Sequence, residues 1–575
     1  MRRTYNAAGE VTEHVNGDGE THRYAYDAVS RLTETTDPES YVKRFAYDAK
    51  DNVTSVTDGR GGLTAFTYDT LDRMVTRTNP VGEVMAGAYD TRDNLATLTR
   101  EDGTVETASY DGLSRRTRVV TPDNTLAYAY DPGGNLTEAA DGDSRVTFTY
   151  DNRNRLATTT TDGTVGPQPQ VTLSYSYDEL DRRLTMSDSL GGTTSYDWDV
   201  EDRLSTLTAP WGTVYSFGYD GEGRRVSLTS TSGRASSWGY TNGLLTALSH
   251  AQSGVTLTDL TYAYDPDGQL TAIVDTLDPA KSKAISNDAL NRLVQVAEGV
   301  PVAQGGVPVP VEDYAYDGEG NRTASHLSGI HESNGHNQLL EDDSYRYAYD
   351  LKGNRVSRTT KADGAVESYA YDSQNRLVGY TSPATTASYA YDALDRRVAK
   401  TVDGAETAYV YDISPEDPLA NDDIVMEYSD GILTRRWMHS DAVDEPVGFE
   451  EYTASSGVGA GTEHALYADR QGSVIWVTEP ATGQVVAGYE YDGYGRLTQT
   501  SGTLSQPYGY TGREYDTESG LYHYRARAYD PAAGVFVQTD PIEFAGGQLA
   551  QCGEVKPYRP AQLKGRLDLK CYYGE

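Results

Sequence analysis

A Tyr-Asp dipeptide returns every 21 residues at the start of this chain, and that period limits the possible folds more than any other feature. Tyr26, Tyr47, Tyr68, Tyr89 and Tyr110 each precede an Asp at this step. Tyr130 and Tyr150 follow at steps of 20, then Tyr177 after a longer loop. Trp198 replaces Tyr in "YDWDVEDRL", yet Tyr219 continues the register. Later copies at Tyr264, Tyr316, Tyr349, Tyr371, Tyr391 and Tyr411 lie 20 to 52 residues apart, with degenerate copies at Tyr240 and Asn287 in the gaps.

The unit reads Y-x-Y-D-x-x-x-[RN]-[LVMR], as in "YAYDAVSRL". Alternation of Tyr with a small residue has period two and puts both rings on one face of a strand. The three residues after Asp are turn formers, and a second strand such as "RLTETT" follows. Each unit is therefore predicted to be one β-hairpin, and hairpins of this size bury their rings only by lying edge to edge. Asp and the Arg four positions on, such as Asp27 with Arg31 and Asp69 with Arg73, flank the turn as a pair. Exposed pairs contribute little stability, so they read as markers of register more than as a ligand-binding ladder. Arg31, Asn52, Arg73, Asn94, Arg115, Asn135 and Arg155 alternate at this position for no reason visible in the sequence.

Composition agrees with an all-β array. The chain holds 46 Tyr against seven Phe, with 57 Gly, 37% hydrophobic residues and a mean hydropathy of -0.61. That is too little aliphatic surface for a thick core, while the spread of Tyr, Val and Thr favours strands over disorder. A net charge of -37 repels phosphate backbones, which makes nucleic acid a poor partner. No run of eighteen apolar residues reads as a membrane span, and the N-terminus has no apolar signal segment. "YNAAGEV" at Tyr5 is a unit whose first strand is cut short, so the chain is expected to be truncated at the front. Cys552 and Cys571, the only cysteines, lie in a tail of different character after Gln548 and fit no zinc ligand set.

These repeats, joined to "RRWMHSDAVDEPVGFEEY", "HALYADRQGSVIWVTEPATGQVVAGYEYDGYGRLT" and "PYGYTGREYDTESGLYHYRARAYDPAAGVFVQTDP", resemble the Rhs/YD-repeat family from Tyr5 to Gly547. That family includes polymorphic toxins, C components of insecticidal toxin complexes, wall-associated proteins and teneurins. The resemblance implies a long antiparallel sheet of hairpins that spirals toward a hollow shell, ended by a core segment. It divides the chain into a YD array over residues 1–411, an Rhs repeat-associated core over 412–547 and a divergent, unstructured tail over 548–575. It also implies a variable toxic C-terminal domain as cargo, secretion or delivery machinery as partner, and a secreted or surface-bound parent.

The family core is an aspartyl autoprotease, and Arg527 and Asp540 match its Arg and first Asp. Two carboxylates sharing a proton suit such hydrolysis. The second Asp, in a D-P-x-G-L motif, is missing, since Asp568 in "RLDLK" lacks that context. No autocleavage is expected, and Asp530 and Asp540 read as Asp-Pro turn residues. The break at Gln548 reads as a frameshift, a recombination junction or a gene-prediction error. "HESNGH" at His331–His336 has the wrong spacing for a zinc-protease helix and is expected to be a loop. No motif for a cofactor or a metal site stands out. The leading expectation is a non-enzymatic encapsulation scaffold. Its rival is an adhesion module stacking exposed tyrosines on surface glycans or a receptor, and burial of Tyr68, Tyr110 and Tyr130 distinguishes the two.

Overall fold

The computed structural model describes residues 1–412, 422–453 and 457–539. Asp540, Asp568, both cysteines and the whole tail lie outside the described residues. Within them the chain is all β: fifty strands, three short 3-10 turns and no α-helix. Strands pair antiparallel with their neighbours in sequence, forming sheets of 30, 16 and 4 strands. The ladder breaks between Ser325 and His331 and again between Gly502 and Glu514. The sheets do not close on themselves.

The turn chemistry explains the unit. In the turn Asp27–Arg31, Asp27 N–H donates to the Arg31 carbonyl at 3.0 Å, while Asp27 Oδ1 accepts from Val29 N and Arg31 N. The carboxylate thus satisfies the backbone donors that the tight turn leaves over. The fourth residue of the turn is left-handed, with φ 68° at Ser30, 70° at Asp51, 62° at Asp72 and 61° at Asn154. Only Gly, Asn, Asp and Ser occupy this position along the first coil, in line with the cost of a left-handed backbone for other side chains.

Period two holds on the strands. In Thr125–Tyr130, Leu126, Tyr128 and Tyr130 share the buried or half-buried face, and Ala127 and Ala129 are exposed on the other. The two tyrosines of a unit nevertheless do different work. The second donates its hydroxyl to the carbonyl that opens the second strand of the preceding hairpin. Tyr47 donates to Leu32 O at 2.7 Å, Tyr68 to Val53 O at 2.8 Å, Tyr89 to Met74 O at 2.9 Å and Tyr110 to Leu95 O at 2.8 Å. That carbonyl belongs to a residue at a β-bulge, such as Val53 opposite Tyr47. Where the tyrosine is replaced, the replacement is another donor: Trp198 Nε1 bonds Arg183 O at 2.8 Å and Asn287 Nδ2 bonds Leu270 O at 3.4 Å. Phe occurs only at the first ring position of the repeats, in Phe45, Phe66, Phe148 and Phe217.

The Arg/Asn alternation also acquires a physical cause. Arg31 pairs with its own Asp27 at 2.7 Å, reaches Asp48 O and Asp51 of the next turn, and lies 4.9 Å over the Tyr47 ring. Asn52 is too short to do all of this. It holds Asp48 at 3.0 Å and donates to Asp72 at 3.2 Å without a charge, and Lys50 in the same turn adds the cation, reaching Thr70 O and Asp72. Arg92 does the same in the next Asn turn, donating to Asp111 O at 2.6 Å. Most turns of this stretch thus send a cation to their successor from one of two positions; Asp131–Asn135 has none and reaches Asn154 through Asn135 at 3.3 Å, while Asp151–Arg155 sends two, Arg153 and Arg155.

Contacts of long sequence separation show that the strip coils. Gly17 N–H donates to Asp267 at 2.6 Å, 250 residues away, and Ser373 N–H to Asp123 at 2.8 Å, also 250 away. Tyr128 donates to Ala393 O across 265 residues, and Gln168 to Tyr409 O across 241. One coil thus takes about 250 residues. The strip has two chemically distinct edges, one of Tyr-Asp turns and one of plain Gly/Asp/Pro turns. Plain turns of the first coil rest on Tyr-Asp turns of the second. The largest apolar cluster forms along this seam and joins Val119, Leu126 and Ala139 to Leu394, Ala408 and Val410. The segment "HESNGH" is a short strand, His331–Ser333, followed by a turn.

Candidate functional site: arginine clasps on the C-terminal core segment

The repeat ends on [LVMR], and the choice of Arg over an aliphatic residue at that last position has structural consequences. Leu32, Val53, Met74 and Leu95 pack in the strip. Arg183, Arg225, Arg322, Arg355 and Arg397 occupy the same position and reach the later part of the chain instead. Arg355 Nη1 lies 2.6 Å from Asp530, and both side chains are almost wholly buried. Arg225 Nη1 lies 2.7 Å from Glu445. Arg183 pairs with Asp412 and Arg397 with Asp516. Arg322 donates to the Ala532 carbonyl at 3.0 Å.

Each clasp is also backed by a ring. The Arg355 guanidinium lies 4.6 Å over Tyr347, Arg183 4.9 Å over Tyr175, Arg225 4.8 Å over Trp238 and Arg322 4.4 Å over Tyr494. Arg suits this task because its planar, weakly hydrated cation stacks and bonds at once. Burial by itself raises the pKa of the Asp530 carboxyl, but the Arg355 and Arg358 guanidiniums hold it below the ordinary value. Asp516 is likewise depressed against its burial, by Arg397 and Lys400.

The third sheet, Glu514–Phe536, is held by three of these clasps, from Arg322, Arg355 and Arg397. Its strands Leu521–Tyr524 and Arg527–Asp530 form a hairpin whose turn places Arg525 at φ 55°. Arg525 and Arg513 converge on Asp444 at 3.0 and 2.6 Å. His523, buried beside Asp516, has its pKa pushed well below the ordinary value by that burial, with Arg397 adding to the shift. Further up the strip, buried His250 joins Ser236 at 2.8 Å to Ala468 O at 2.9 Å, and burial lowers its pKa to about 3.

Of the two sequence-predicted catalytic residues, the described structure places one. Arg527 opens the second strand of the hairpin, with its guanidinium 3.8 Å over the Phe536 ring. It shares a small cleft with Arg397, Asp516, His523 and Gln538. Asp540 is outside the described residues, so the two are not seen together. Asp530 does make a turn, accepting from Ala532 N and Ala533 N at 3.1 Å, and in addition anchors Arg355. Among the described residues no group of three or more His, Cys, Asp or Glu is arranged to hold a metal ion. No helix among them is long and apolar enough to cross a membrane.

A profile of the teneurin YD-shell family matches residues 1–166, 243–420 and 458–555. The chain belongs to the YD-shell family. An RHS repeat profile matches residues 198–235. The YD shell is 28% identical over 300 residues to the tRNA3(Ser)-specific nuclease WapA of Bacillus spizizenii, and 29% over 301 residues to the tRNA nuclease WapA of Bacillus subtilis strain 168. Each match covers 49% of this chain and 10% of the relative, so the chain spans about a tenth of the curated relatives it matches. Among solved structures it is similar to TcdB2-TccC3 without its hypervariable C-terminal region, with a TM-score of 0.67 at 13% identity, covering 97% of this chain and 35% of that one. It is also similar to the Photorhabdus luminescens Tc holotoxin pore, with a TM-score of 0.59 at 14% identity, covering 98% and 35%. At such identities the likeness is one of fold.

Proposed function

We propose that this chain is a structural scaffold of an Rhs-type toxin, a coiled β strip that shelters a variable toxic domain carried C-terminal to its core. The observation that carries this reading is the set of five arginine clasps. Three of them, from Arg322, Arg355 and Arg397, draw the last described segment against the strip, so whatever follows that segment starts out beside the coil. In this reading residues 1–411 supply the wall, 412–547 the closing core and 548–575 a tail of separate origin. The parent is a secreted or surface-associated protein, and its partners are its own cargo and a delivery apparatus.

The adhesion reading requires free ring faces and hydroxyls. Tyr68, Tyr110 and Tyr130 are half-buried, and each hydroxyl is committed to the preceding hairpin, which supports the scaffold. The autoprotease reading finds no support in this chain, where Asp568, in "RLDLK", is the one aspartate after Asp540.

The test is protease protection. A small, protease-sensitive reporter fused after Glu575 is digested alongside the same reporter fused before Met1. Shielding of the C-terminal reporter alone supports the scaffold, whereas equal digestion of both overturns it.

A further inference from the structure

Among the described residues, every strand of the first two sheets is bonded to the next by a backbone ladder, with one exception. Strands Arg322–Ser325 and His331–Ser333 share no ladder, and an isolated bridge between Ser325 and Ser328 marks the crossing. Side chains fasten this joint instead. Ser325 Oγ and His331 Nε2 lie 3.1 Å apart, both buried. Gly329 N–H donates to Asp343 at 2.6 Å, and His326 lies 3.6 Å from Asp492, which opens the last Tyr-Asp turn of the second sheet. Backbone amides keep their protons between pH 4 and 7, whereas imidazoles titrate there. The one joint without a ladder is thus also one whose fastenings respond to acid.

His331 is placed to refuse a proton. The charged groups that face it are Arg322 of the strand before the break and Asp342 and Asp343 from the strand paired with its own. Burial, with Arg322 adding to it and the two carboxylates opposing, pushes its pKa from 6.5 down to about 4. A parted joint exposes the ring and takes up the proton. The closed joint therefore has its full advantage above pH 6.5 and loses it as pH falls toward 4. His326 works the other way, because in its charged form it pairs with Asp492 and holds the joint closed.

The third sheet touches both banks of the break. Arg322 donates to Ala532 O at 3.0 Å from one bank, and Ala533 packs on Leu339 and Tyr347 of the other. Arg355 and Arg397, on the second bank, hold Asp530 and Asp516, whose carboxyls lie below the ordinary range and stay charged in mild acid. We infer that the break is an acid-operated hinge: a proton on His331 parts the first sheet from the second there and loosens the hold of Arg322 on the third sheet, while Arg355 and Arg397 keep theirs. This is a property of the strip itself and stands whether or not a toxic domain follows the core.

Hydrogen exchange of the full chain at pH 7.5 and pH 5, each corrected for the intrinsic exchange rate at that pH, tests this. Protection of peptides covering 322–333 is expected to fall about 30-fold at pH 5, the shift that a pKa of about 4 against 6.5 imposes on opening. The ladder between Leu32–Thr36 and Val42–Tyr47 is expected to keep its protection. His331→Gln retains a polar partner for Ser325 and is expected to remove the dependence on pH at the break, whereas His326→Gln is expected to leave it in place. Equal protection of 322–333 at the two pH values in the wild type overturns the inference, as does a fall that is no larger at the break than in the ladder. These two outcomes need no variant. A fall that survives in His331→Gln, or one that His326→Gln removes, overturns it as well.

Discussion

Replacing Tyr68 with Phe isolates the bond that joins one hairpin to the next. The substitution keeps the ring and removes one hydroxyl, whose partner is Val53 O at 2.8 Å. A typical internal hydrogen bond contributes about 1 kcal/mol net, and a carbonyl left unpaired in a half-buried site costs about 1–3 kcal/mol. The expected loss is therefore about 1–2 kcal/mol, a factor of about 5–30 in a local opening equilibrium. A long repeat array does not unfold in a single two-state step, so a global melting temperature is the wrong readout. Hydrogen exchange followed by mass spectrometry on peptides covering Val53–Thr57 and Leu63–Tyr68 reports the local opening directly. The control is Tyr24→Phe at the first ring position, where the repeats tolerate Phe. Exchange is expected to accelerate in the Tyr68 variant and to stay near wild type in the Tyr24 variant. Equal effects of the two, or none from Tyr68→Phe, refute the argument that the hydroxyl is why this position is Tyr.

Three further outcomes follow from the same geometry. Arg355→Met leaves buried Asp530 with only Arg358, at 3.5 Å, and is expected to cost up to about 3–5 kcal/mol, read as faster protease nicking within 514–539; adding Asp530→Asn restores most of the resistance. His250 has a folded pKa lowered to about 3 against an ordinary 6.5, so the unfolded chain binds more protons between these values and stability falls as pH drops. Its share of that loss is about 2 kcal/mol at pH 5, seen as weaker exchange protection of Leu244–Gln252 that His250→Gln makes less dependent on pH. Intact mass spectrometry of the purified chain is expected to show the full 62.7 kDa species with no C-terminal cut.

Much of the fold was legible in the sequence because its determinants are local. The 21-residue step, the Asp and the small or polar residue three places later specify a hairpin without reference to the rest of the chain. Alternation in "LAYAYD" likewise assigns a buried face. Function at the two tyrosines was harder to see, because period two treats them as equals and only the restriction of Phe to the first position separates them. The clasps were missed for a related reason. Grouping Leu, Val, Met and Arg as one class at the last position of the repeat hid the fact that Arg183, Arg225, Arg322, Arg355 and Arg397 reach distant partners from it, whereas Arg116 stays exposed there. Its partners lie far off in sequence, with Asp516 119 residues from Arg397 and Asp530 175 from Arg355. The coil of about 250 residues leaves no fixed period in the sequence, because its contacts join plain turns to Tyr-Asp turns at separations that vary, 241 residues for Gln168 with Tyr409 and 265 for Tyr128 with Ala393.

The central claim of the proposal is that the chain shelters its C-terminal continuation against the coil, beginning at the clasped sheet. Single-particle cryo-electron microscopy of the chain with a compact reporter domain fused after Glu575 tests this most directly. The account predicts reporter density on the concave side of the strip, next to the sheet Glu514–Phe536 that the arginines clasp. Reporter density outside the strip, with the clasped sheet still in place, contradicts it.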